Sequence, residues 1–436
     1  MTMRLNGVAP VVVQLSLLAA PCVASLPAFN RIDLAAGSGP VDAAAGDYDG
    51  DGDLDLAIVD HGVFAGSWTN YGVRIMVNDG AGGFTTSSYL PFPAGMAEPN
   101  AVVARDFDSD GDLDLAVAVG YTGFNQSAVM MMLNDGAGGF AQMTPFGTGY
   151  GPVSVAAADV DLDDDYDLMT ANTVSSTVTM LYNDGAGSMN TFMTYGTATN
   201  PKRIEFADLD GDGDPDAVET WLHGVVVARN DGTGLLTAWG TYTAGIRPDG
   251  IAFGDLDGDA DPEMLIADYT GGHVTAFFND GAGLFPSSTS YTVATGPADM
   301  AVFDLDGDID ADLAIASRST NQVEVRLNNG EAGLGETHFL AVGAGPSSIL
   351  VADLNADGSP DIVTTNADGD SISLLLSDAG CPADLAPPFG TLDLNDIQAF
   401  IAGFIAADPI ADLTGDGILD LDDVSAFIAS FLAGCP

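Results

Sequence analysis

The chain is poor in positive charge and in side chains that commonly carry catalysis. Its 436 residues include ten lysines and arginines, four histidines and three cysteines, and Lys202 is the single lysine. Against 63 acidic residues this gives a net charge of −53. Such a charge disfavours nucleic acid and anionic membranes as partners. The apolar content of 47 % nevertheless argues against a disordered chain.

Long apolar runs are scarce as well. The one clear run, residues 8–20, lies near the N-terminus and is too short for a membrane span. It predicts a signal peptide over residues 1–24 and an exported chain without a transmembrane segment. Cys22 leaves a lipoprotein anchor open, although the proline before it fits that poorly. Cys381 and Cys435 then remain, and an exported chain allows them to pair.

The acidic residues are concentrated in seven copies of one nonapeptide, D-x-D-x-D-G-x-x-D. These copies hold 34 of the 63 acidic residues, and after a first interval of 59 their starts lie 53, 49, 47, 49 and 49 residues apart. Hard cations such as Ca²⁺ take six to eight oxygen ligands, and a glycine at position 6 permits the tight turn that gathers them. Seven copies in register argue against simple solvated turns. The copies begin at Asp47, Asp106, Asp159, Asp208, Asp255, Asp304 and Asp353.

The pattern predicts up to seven Ca²⁺ sites, with ligands at loop positions 1, 3, 5, 7 and 9 and position 7 using its backbone carbonyl. The candidate ligands are Asp47, Asp49, Asp51, Asp53 and Asp55; Asp106, Asp108, Asp110, Asp112 and Asp114; Asp159, Asp161, Asp163, Asp165 and Asp167; Asp208, Asp210, Asp212, Asp214 and Asp216; Asp255, Asp257, Asp259, Asp261 and Glu263; Asp304, Asp306, Asp308, Asp310 and Asp312; and Asp353, Asn355, Asp357, Ser359 and Asp361.

Three copies lack glycine at position 6, where they have Asp164, Ala260 and Ile309. A side chain there strains the turn. We therefore expect weaker sites in the loops that begin at Asp159, Asp255 and Asp304.

Each repeat also contains four short strands. One apolar strand precedes the acidic loop and a second follows at once. A third ends in an Asn-Asp-Gly turn such as Asn78–Gly80, a hairpin signal, and a fourth leads to the next repeat. Four strands per unit of about 49 residues is the period of a propeller blade. The seventh repeat lacks its fourth strand, and the segment from Phe29 to Pro40 matches the missing piece. We expect the two chain ends to share a blade and close the ring.

These motifs resemble the FG-GAP/VCBS repeats of integrin-α-like seven-bladed β-propellers, over roughly residues 26–380. The resemblance implies one largely structural Ca²⁺ in the loop between the first two strands of each blade.

The last 56 residues change character. Two apolar stretches superpose at an offset of 27, each with the spacing of one apolar helix face; they begin at Ile397 and Val424. A twelve-residue calcium loop precedes the second stretch, whereas the corresponding first segment has prolines where ligands belong and is expected to bind calcium poorly. The candidate ligands of the second loop are Asp412, Thr414, Asp416, Ile418, Asp420 and Asp423.

The duplicated loop–helix unit resembles a type I dockerin of the variant bounded by Cys-Pro and Gly-Cys-Pro. The resemblance implies docking onto a cohesin-like receptor through residues 381–436, with Leu421, Asp422 and Ser425 as candidate contacts. A Cys381–Cys435 disulfide would clasp the module. The alternative is a small EF-hand-like stabilising cap.

The prediction is therefore a mainly β fold, a seven-bladed β-propeller over residues 25–380, followed by a small α-helical EF-hand-like dockerin domain over residues 381–436. No G-x-S-x-G motif or metal-type histidine spacing is present. The histidines read as surface-loop residues, although His61, His223 and His273 fall at similar points of their repeats. Trp68, Trp221 and Trp239 suit sugar stacking or packing between blades equally well.

These features favour a secreted, non-catalytic protein, surface-attached through the dockerin, whose propeller face binds a protein or polysaccharide. Two rivals stay open. One is a polysaccharide lyase or glycoside hydrolase, which would need a polar pocket away from the acidic loops, near residues such as His61, His223 and Arg247. The other is a purely structural envelope protein.

Overall fold

The computed structural model describes residues 26–377 except 65–67, 94–95, 97, 121–126, 141 and 190, together with isolated positions between 397 and 428. The predicted signal peptide, the two C-terminal cysteines and the C-terminal calcium loop lie outside the described residues. Among the described residues, no helix has the length and apolar character needed to cross a membrane.

The described residues form seven four-stranded antiparallel sheets and one small hairpin. The strands are β1 (Phe29–Ala35), β2 (Pro40–Gly46), β3 (Asp55–Asp60), β4 (Val63–Phe64), β5 (Trp68–Thr69), β6 (Gly72–Val77), β7 (Thr85–Pro91), β8 (Pro99–Arg105), β9 (Asp114–Val119), β10 (Ala128–Leu133), β11 (Gln142–Gly147), β12 (Pro152–Ala158), β13 (Asp167–Asn172), β14 (Thr177–Tyr182), β15 (Thr191–Gly196), β16 (Ile204–Ala207), β17 (Asp216–Trp221), β18 (Gly224–Arg229), β19 (Thr237–Thr243), β20 (Pro248–Gly254), β21 (Glu263–Asp268), β22 (His273–Phe278), β23 (Ser287–Thr292), β24 (Pro297–Phe303), β25 (Asp312–Ser317), β26 (Gln322–Leu327), β27 (Glu336–Ala341), β28 (Pro346–Ala352), β29 (Asp361–Asn366) and β30 (Ser371–Ser377).

Seven blades are confirmed, and the ring closes as the sequence predicts. Strand β1 pairs with β30, from Phe29 opposite Ser377 to Ala35 opposite Ser371, so the first strand completes the last blade. Blades are numbered here from β2, and β1 belongs to blade 7. The shared blade closes the ring, and each inner strand contacts the inner strands of both neighbouring blades.

The core lies between the blades. The second strand of six blades is buried along its whole length, as in β9 and β29, because strands flank it on both sides and blades cover both of its faces. In blade 4 the last residue of β17, Trp221, is partly exposed. The fourth strands are largely exposed, as in β23. Seven hydrophobic clusters result, one at each interface between neighbouring blades. Each blade therefore depends on both neighbours for its core.

The inner strands line the central axis. In six blades the strand begins at a proline and contains a register shift between that proline and the residue two positions later, for example between Pro40 and Asp42. Such β-bulges re-aim side chains. The third residue of six inner segments lines one cavity; these residues are Asp42, Ala101, Ser154, Arg203, Asp299 and Ser348.

In the C-terminal module, helical backbone conformation is described only at scattered positions. The rings of Phe400 and Phe427, which occupy equivalent positions in the two predicted helices, stack with centroids 4.2 Å apart and an interplanar angle of 13°. The contact agrees with the predicted apolar faces. The dockerin assignment itself rests on residues outside those described.

Candidate metal centres and an axial cavity

The seven acidic loops all connect an inner strand to the second strand of its blade. In the first loop the Asp47 carboxylate accepts hydrogen bonds from the backbone N–H groups of Gly50 (2.8 Å) and Gly52 (3.0 Å). The Asp51 carboxylate accepts one from the N–H of Asp53 (3.0 Å). The backbone thus wraps around the position-1 carboxylate, and the same arrangement recurs in the other loops.

Two positions of every loop have left-handed backbone, positions 4 and 6. The sequence predicts only position 6, although glycine stands at position 4 in four of the seven copies. The expected strain at position 6 is present: φ is +72° at Asp164, +74° at Ala260 and +80° at Ile309. These loops therefore keep the common shape despite their side chains. Whether their sites are weaker stays a prediction.

Replacing Ile309 by glycine is expected to stabilise the protein. Ile309 is 90 % exposed, so its side chain gains little from packing, while a left-handed conformation costs an L-residue roughly 1–2 kcal/mol. Because glycine adds unfolded-state entropy, the net gain should be about 0.5–1 kcal/mol in urea unfolding. Ile309→Val keeps the strained Cβ and serves as the control. Equal midpoints for the two variants would contradict the strain argument.

Carboxylates converge in the loops. Oxygens of positions 1 and 3, with position 9 or 5, lie within 4.8 Å of one another in groups such as Asp47, Asp49 and Asp55. In five loops one position-3 oxygen is buried without a hydrogen-bond partner, at Asp49, Asp108, Asp161, Asp210 and Asp306. Buried oxygens of that kind are costly unless a cation or donor meets them. The donor set, all oxygen, is compatible with calcium.

Position 9 fixes the loop to its blade. Asp114 is fully buried and accepts hydrogen bonds from the N–H groups of Phe107 (3.0 Å) and Asn134 (2.7 Å). Burial raises the pKa of Asp114 to about 6, and likewise that of Asp312 to about 7. A bound divalent cation would offset this cost of ionisation.

The position-7 aspartate side chains lie against the Asn-Asp-Gly turns of their blades. The Asp53 carboxylate lies against Gly80 of the Asn-Asp-Gly turn, and Asp112, Asp165, Asp214, Asp261 and Asp310 lie in the same way against the equivalent glycines. A ligand role for position 7 therefore falls to its backbone carbonyl, as the motif predicts.

The seventh loop differs at position 3, where Asn355 replaces aspartate. Its side-chain amide donates to the position-5 carboxylate of Asp357 (3.1 Å).

An asparagine that the sequence marks only as a turn residue ties neighbouring blades together. The side-chain amide of Asn134 donates to the carbonyl of Tyr48, position 2 of the preceding blade's acidic loop (2.9 Å). Asn78 makes the same bond to Leu354 (2.7 Å) and so links the first blade to the last. The bond recurs from Asn183, Asn230, Asn279 and Asn328. Its recurrence at the repeat period is the sequence signal that could have revealed it.

A separate polar cavity of about 160 Å³ lies on the axis, lined by residues of six blades. Arg203 reaches from blade 4 to Asp299 of blade 6, with Nη2 at 2.7 Å from Oδ1. Its Nε is buried without a hydrogen bond and lies 3.7 Å from the Glu205 carboxylate. Asp42 accepts hydrogen bonds from the Ser348 hydroxyl (2.7 Å) and from a backbone N–H of the next blade (2.9 Å).

The cavity has an excess of carboxylates. Three acidic side chains, Asp42, Glu205 and Asp299, face one guanidinium, that of Arg203. The Glu205 side chain is 39 % exposed within this cavity, and desolvation there raises its pKa to about 7 despite the attraction of Arg203. Burial also raises the pKa of Asp42.

The other candidate residues do not line the axial cavity. His61, His223 and His273 all lie at or beside the connection between the second and third strands of their blades, on three different blades. Trp239 packs in the cluster between blades 4 and 5, as the packing alternative expects. Trp221 contacts His223 edge to face at 6.0 Å. No shared histidine site results among these described residues.

Comparisons with known proteins agree with this architecture. A family model described as FG-GAP-like repeat matches residues 106–170, 255–315 and 304–364, so the predicted FG-GAP-like repeats are confirmed. The chain is similar to the crystal structure of BBS1N in complex with ARL6DN, soaked with lead, with 14 % identity, a TM-score of 0.55 and coverage of 81 % of this chain and 97 % of that chain.

It is also similar to an Agrocybe aegerita lectin, from a structure on specific recognition of non-reducing terminal N-acetylglucosamine. Identity is 19 %, the TM-score 0.47, and coverage 78 % of this chain and 87 % of that chain. No curated protein matches. At 14 % identity the likeness to the BBS1N structure shows the fold alone.

Proposed function

We propose that this chain, whose FG-GAP-like repeats form a seven-bladed β-propeller, is a secreted, calcium-stabilised binding protein for a protein or polysaccharide ligand. The observation that carries the calcium part is the orphaned, buried position-3 oxygen that recurs at Asp49, Asp108, Asp161 and Asp306. Calcium would be held by positions 1, 3, 5 and 9 with the backbone of position 7. Bound there, it would neutralise carboxylates that otherwise repel one another.

The axial cavity is the proposed ligand contact on the propeller. Inner strands rise about 3.3 Å per residue, so its ring of third residues lies roughly 17 Å from the loop that begins five residues later. Carboxylates and a guanidinium can donate to and accept from hydroxyl and amine groups of a sugar or a peptide. A cavity of about 150 Å³ holds a six-membered ring by volume. Ligand binding and calcium binding would then use different parts of the same blades.

Residues 381–436 would attach the protein to a cohesin-like receptor at the cell surface. Support comes from the duplicated loop–helix sequence and from the stacking of Phe400 on Phe427. The full chain and a chain ending at residue 380 should be incubated with envelope fractions of the source cell. Calcium-dependent retention of the full chain alone is the expected result. Equal retention would reduce the module to a stabilising cap.

The ligand proposal is tested with Glu205→Gln on glycan and protein arrays. Loss of the carboxylate should weaken capture of the ligand that the wild-type chain retains. Glu336→Gln is the matched control, because Glu336 lies on the outer strand β27, away from the axial cavity, with its carboxylate 3.1 Å from His338 Nε2. Capture of nothing by the wild-type chain would favour the purely structural envelope protein.

A polysaccharide-cleaving activity is the second candidate, because the axial cavity is a polar pocket away from the acidic loops. A carboxyl group with a pKa near neutrality, such as Glu205, suits general acid catalysis. Release of new reducing or unsaturated sugar ends by wild-type protein, abolished by Glu205→Gln, would support it. The residues first suspected for this role, His61, His223 and Arg247, are not among those that line the cavity.

A further inference from the structure

The fourth blade differs from the others at the last residue of its third strand. This residue directly precedes the interblade asparagine. In the other five blades that have this asparagine it is apolar or aromatic: Val77, Leu133, Tyr182, Phe278 and Leu327. In blade 7, where Ser377 takes the place of the asparagine, the equivalent residue is Leu376. In blade 4 it is Arg229, at the end of β18.

The Arg229 guanidinium lies on the acidic loop of its own blade. Nη2 is 2.6 Å from Oδ2 of Asp210 and 2.8 Å from Oδ2 of Asp212. These are positions 3 and 5 of the loop, and both belong to the group of converging carboxylates with Asp208. Arg229 also lies over the ring of Trp239, with Cζ 5.2 Å from the ring centroid. The side chain is therefore held from two sides.

Among the described residues, the other arginine ion pairs are made outside the acidic loops, for example Arg318 with Asp368 and Arg326 with Glu324. Blade 4 is thus distinguished by a protein cation on two carboxylates that the motif assigns to calcium. By sequence this loop matches the calcium pattern fully, with glycine at position 6. The sequence of this loop therefore predicts a calcium site, whereas the Arg229 guanidinium already occupies two of its carboxylates.

We propose that Arg229 is a built-in counter-ion that replaces calcium in the fourth loop. The inference rests on the proposed calcium binding by the other loops. A calcium ion at Asp210 and Asp212 would have to displace the guanidinium and break its charge-assisted hydrogen bonds. Each such bond shifts an equilibrium by roughly 10- to 100-fold. The fourth loop should therefore stay free of calcium at concentrations that fill loops such as the first and second.

One consequence concerns the axial cavity. Arg203 and Glu205 lie on the inner segment that leads directly into the fourth loop at Asp208. A loop that carries its own cation keeps its shape when calcium is removed. Blade 4, which supplies Arg203 and Glu205 to the cavity, should therefore stay folded when calcium is removed.

The test is calcium titration of the metal-free full chain by calorimetry, with bound calcium counted by elemental analysis. Arg229→Leu introduces the residue found in blades 2, 6 and 7 and should bind one additional calcium, or bind it roughly 10-fold or more tightly. Arg229→Lys should behave like the wild type, because it keeps the charge. Adding Asp208→Asn to Arg229→Leu should remove the extra site and so assign it to loop 4. Arg318→Leu, which breaks a surface ion pair, is the control.

Melting in chelator gives a second readout. Arg229→Leu should melt below the wild type in EDTA, because the loop then has no cation, and should approach the wild type in calcium. Equal calcium numbers and affinities for wild type and Arg229→Leu, both above zero, would overturn the role of Arg229 while leaving the calcium proposal intact. Absence of calcium binding in every protein would overturn both.

Discussion

Chelation of calcium is expected to lower the melting temperature of the chain by roughly 15 °C or more. A site that is filled at one hundred times its dissociation constant contributes about 2.7 kcal/mol, and several sites add up. For a domain of roughly 350 residues each kcal/mol corresponds to about 1.4 °C, so several filled sites are enough for this shift. The reason lies in the loops, where carboxylate oxygens lie within 4.8 Å of one another. Without cations these charges repel.

The measurement is calorimetric melting in calcium, in magnesium and in EDTA at constant ionic strength. Ionic strength must be held fixed, because salt alone screens exposed carboxylates. Magnesium is the control, since it is smaller and demands near-octahedral geometry that a flexible loop of backbone and carboxylate oxygens suits poorly. Superimposable melts in calcium and EDTA would remove calcium from the account of this fold.

The pH dependence of the calcium-free protein checks the cause. Burial raises the pKa of Asp167 to about 7 and that of Asp216 to about 6, above the values of the unfolded chain. Folding therefore favours the protonated forms, and this stability is lost as pH rises from about 4 through 7. In EDTA the melting temperature should rise as pH falls from about 8 to 5.5. In calcium it should fall over the same range, because protons then compete with the metal.

The sequence was sufficient for the fold because the repeat period encodes it directly. Each acidic loop marks the start of a second strand, and each Asn-Asp-Gly turn marks the end of a third. Even ring closure followed, since the segment at Phe29 matches the strand that the seventh repeat lacks. The left-handed backbone at positions 4 and 6 also recurs in every loop, although the sequence predicts only position 6. Loop and turn motifs that recur at a fixed period are therefore sufficient to predict a β-propeller.

Other features depend on contacts that the period alone does not reveal. Arg229 lies seventeen residues beyond Asp212, and it reaches that loop only because β17 and β18 pair as a hairpin. The axial charges of Arg203 and Asp299 lie two blades apart and meet because the inner segments of the blades converge on the axis. For Arg229 the informative signal is a deviation from the repeat consensus, because a charged residue stands at an otherwise apolar repeat position.

Replacing Asn134 by alanine is expected to destabilise the protein by roughly 2–3 kcal/mol. Asn134 is 7 % exposed and donates to the carbonyls of Tyr48 in blade 1 (2.9 Å) and Leu113 in blade 2 (3.2 Å). Its own carbonyl oxygen accepts the N–H of Asp135 (2.9 Å). Alanine removes all three bonds and leaves a buried carbonyl of the first acidic loop without its donor.

Urea unfolding in saturating calcium measures the loss, and Asn30→Ala is the matched control. Asn30 lies exposed on β1, so its replacement should change stability by less than about 0.5 kcal/mol. Because Tyr48 also donates its N–H to the position-9 carboxylate Asp55 (3.1 Å), loss of the Asn134 bond should loosen the first acidic loop and weaken calcium there. A variant as stable as Asn30→Ala, with unchanged calcium affinity, would show that the blades are joined by their apolar clusters alone. The recurring asparagine would then be a turn residue and nothing more.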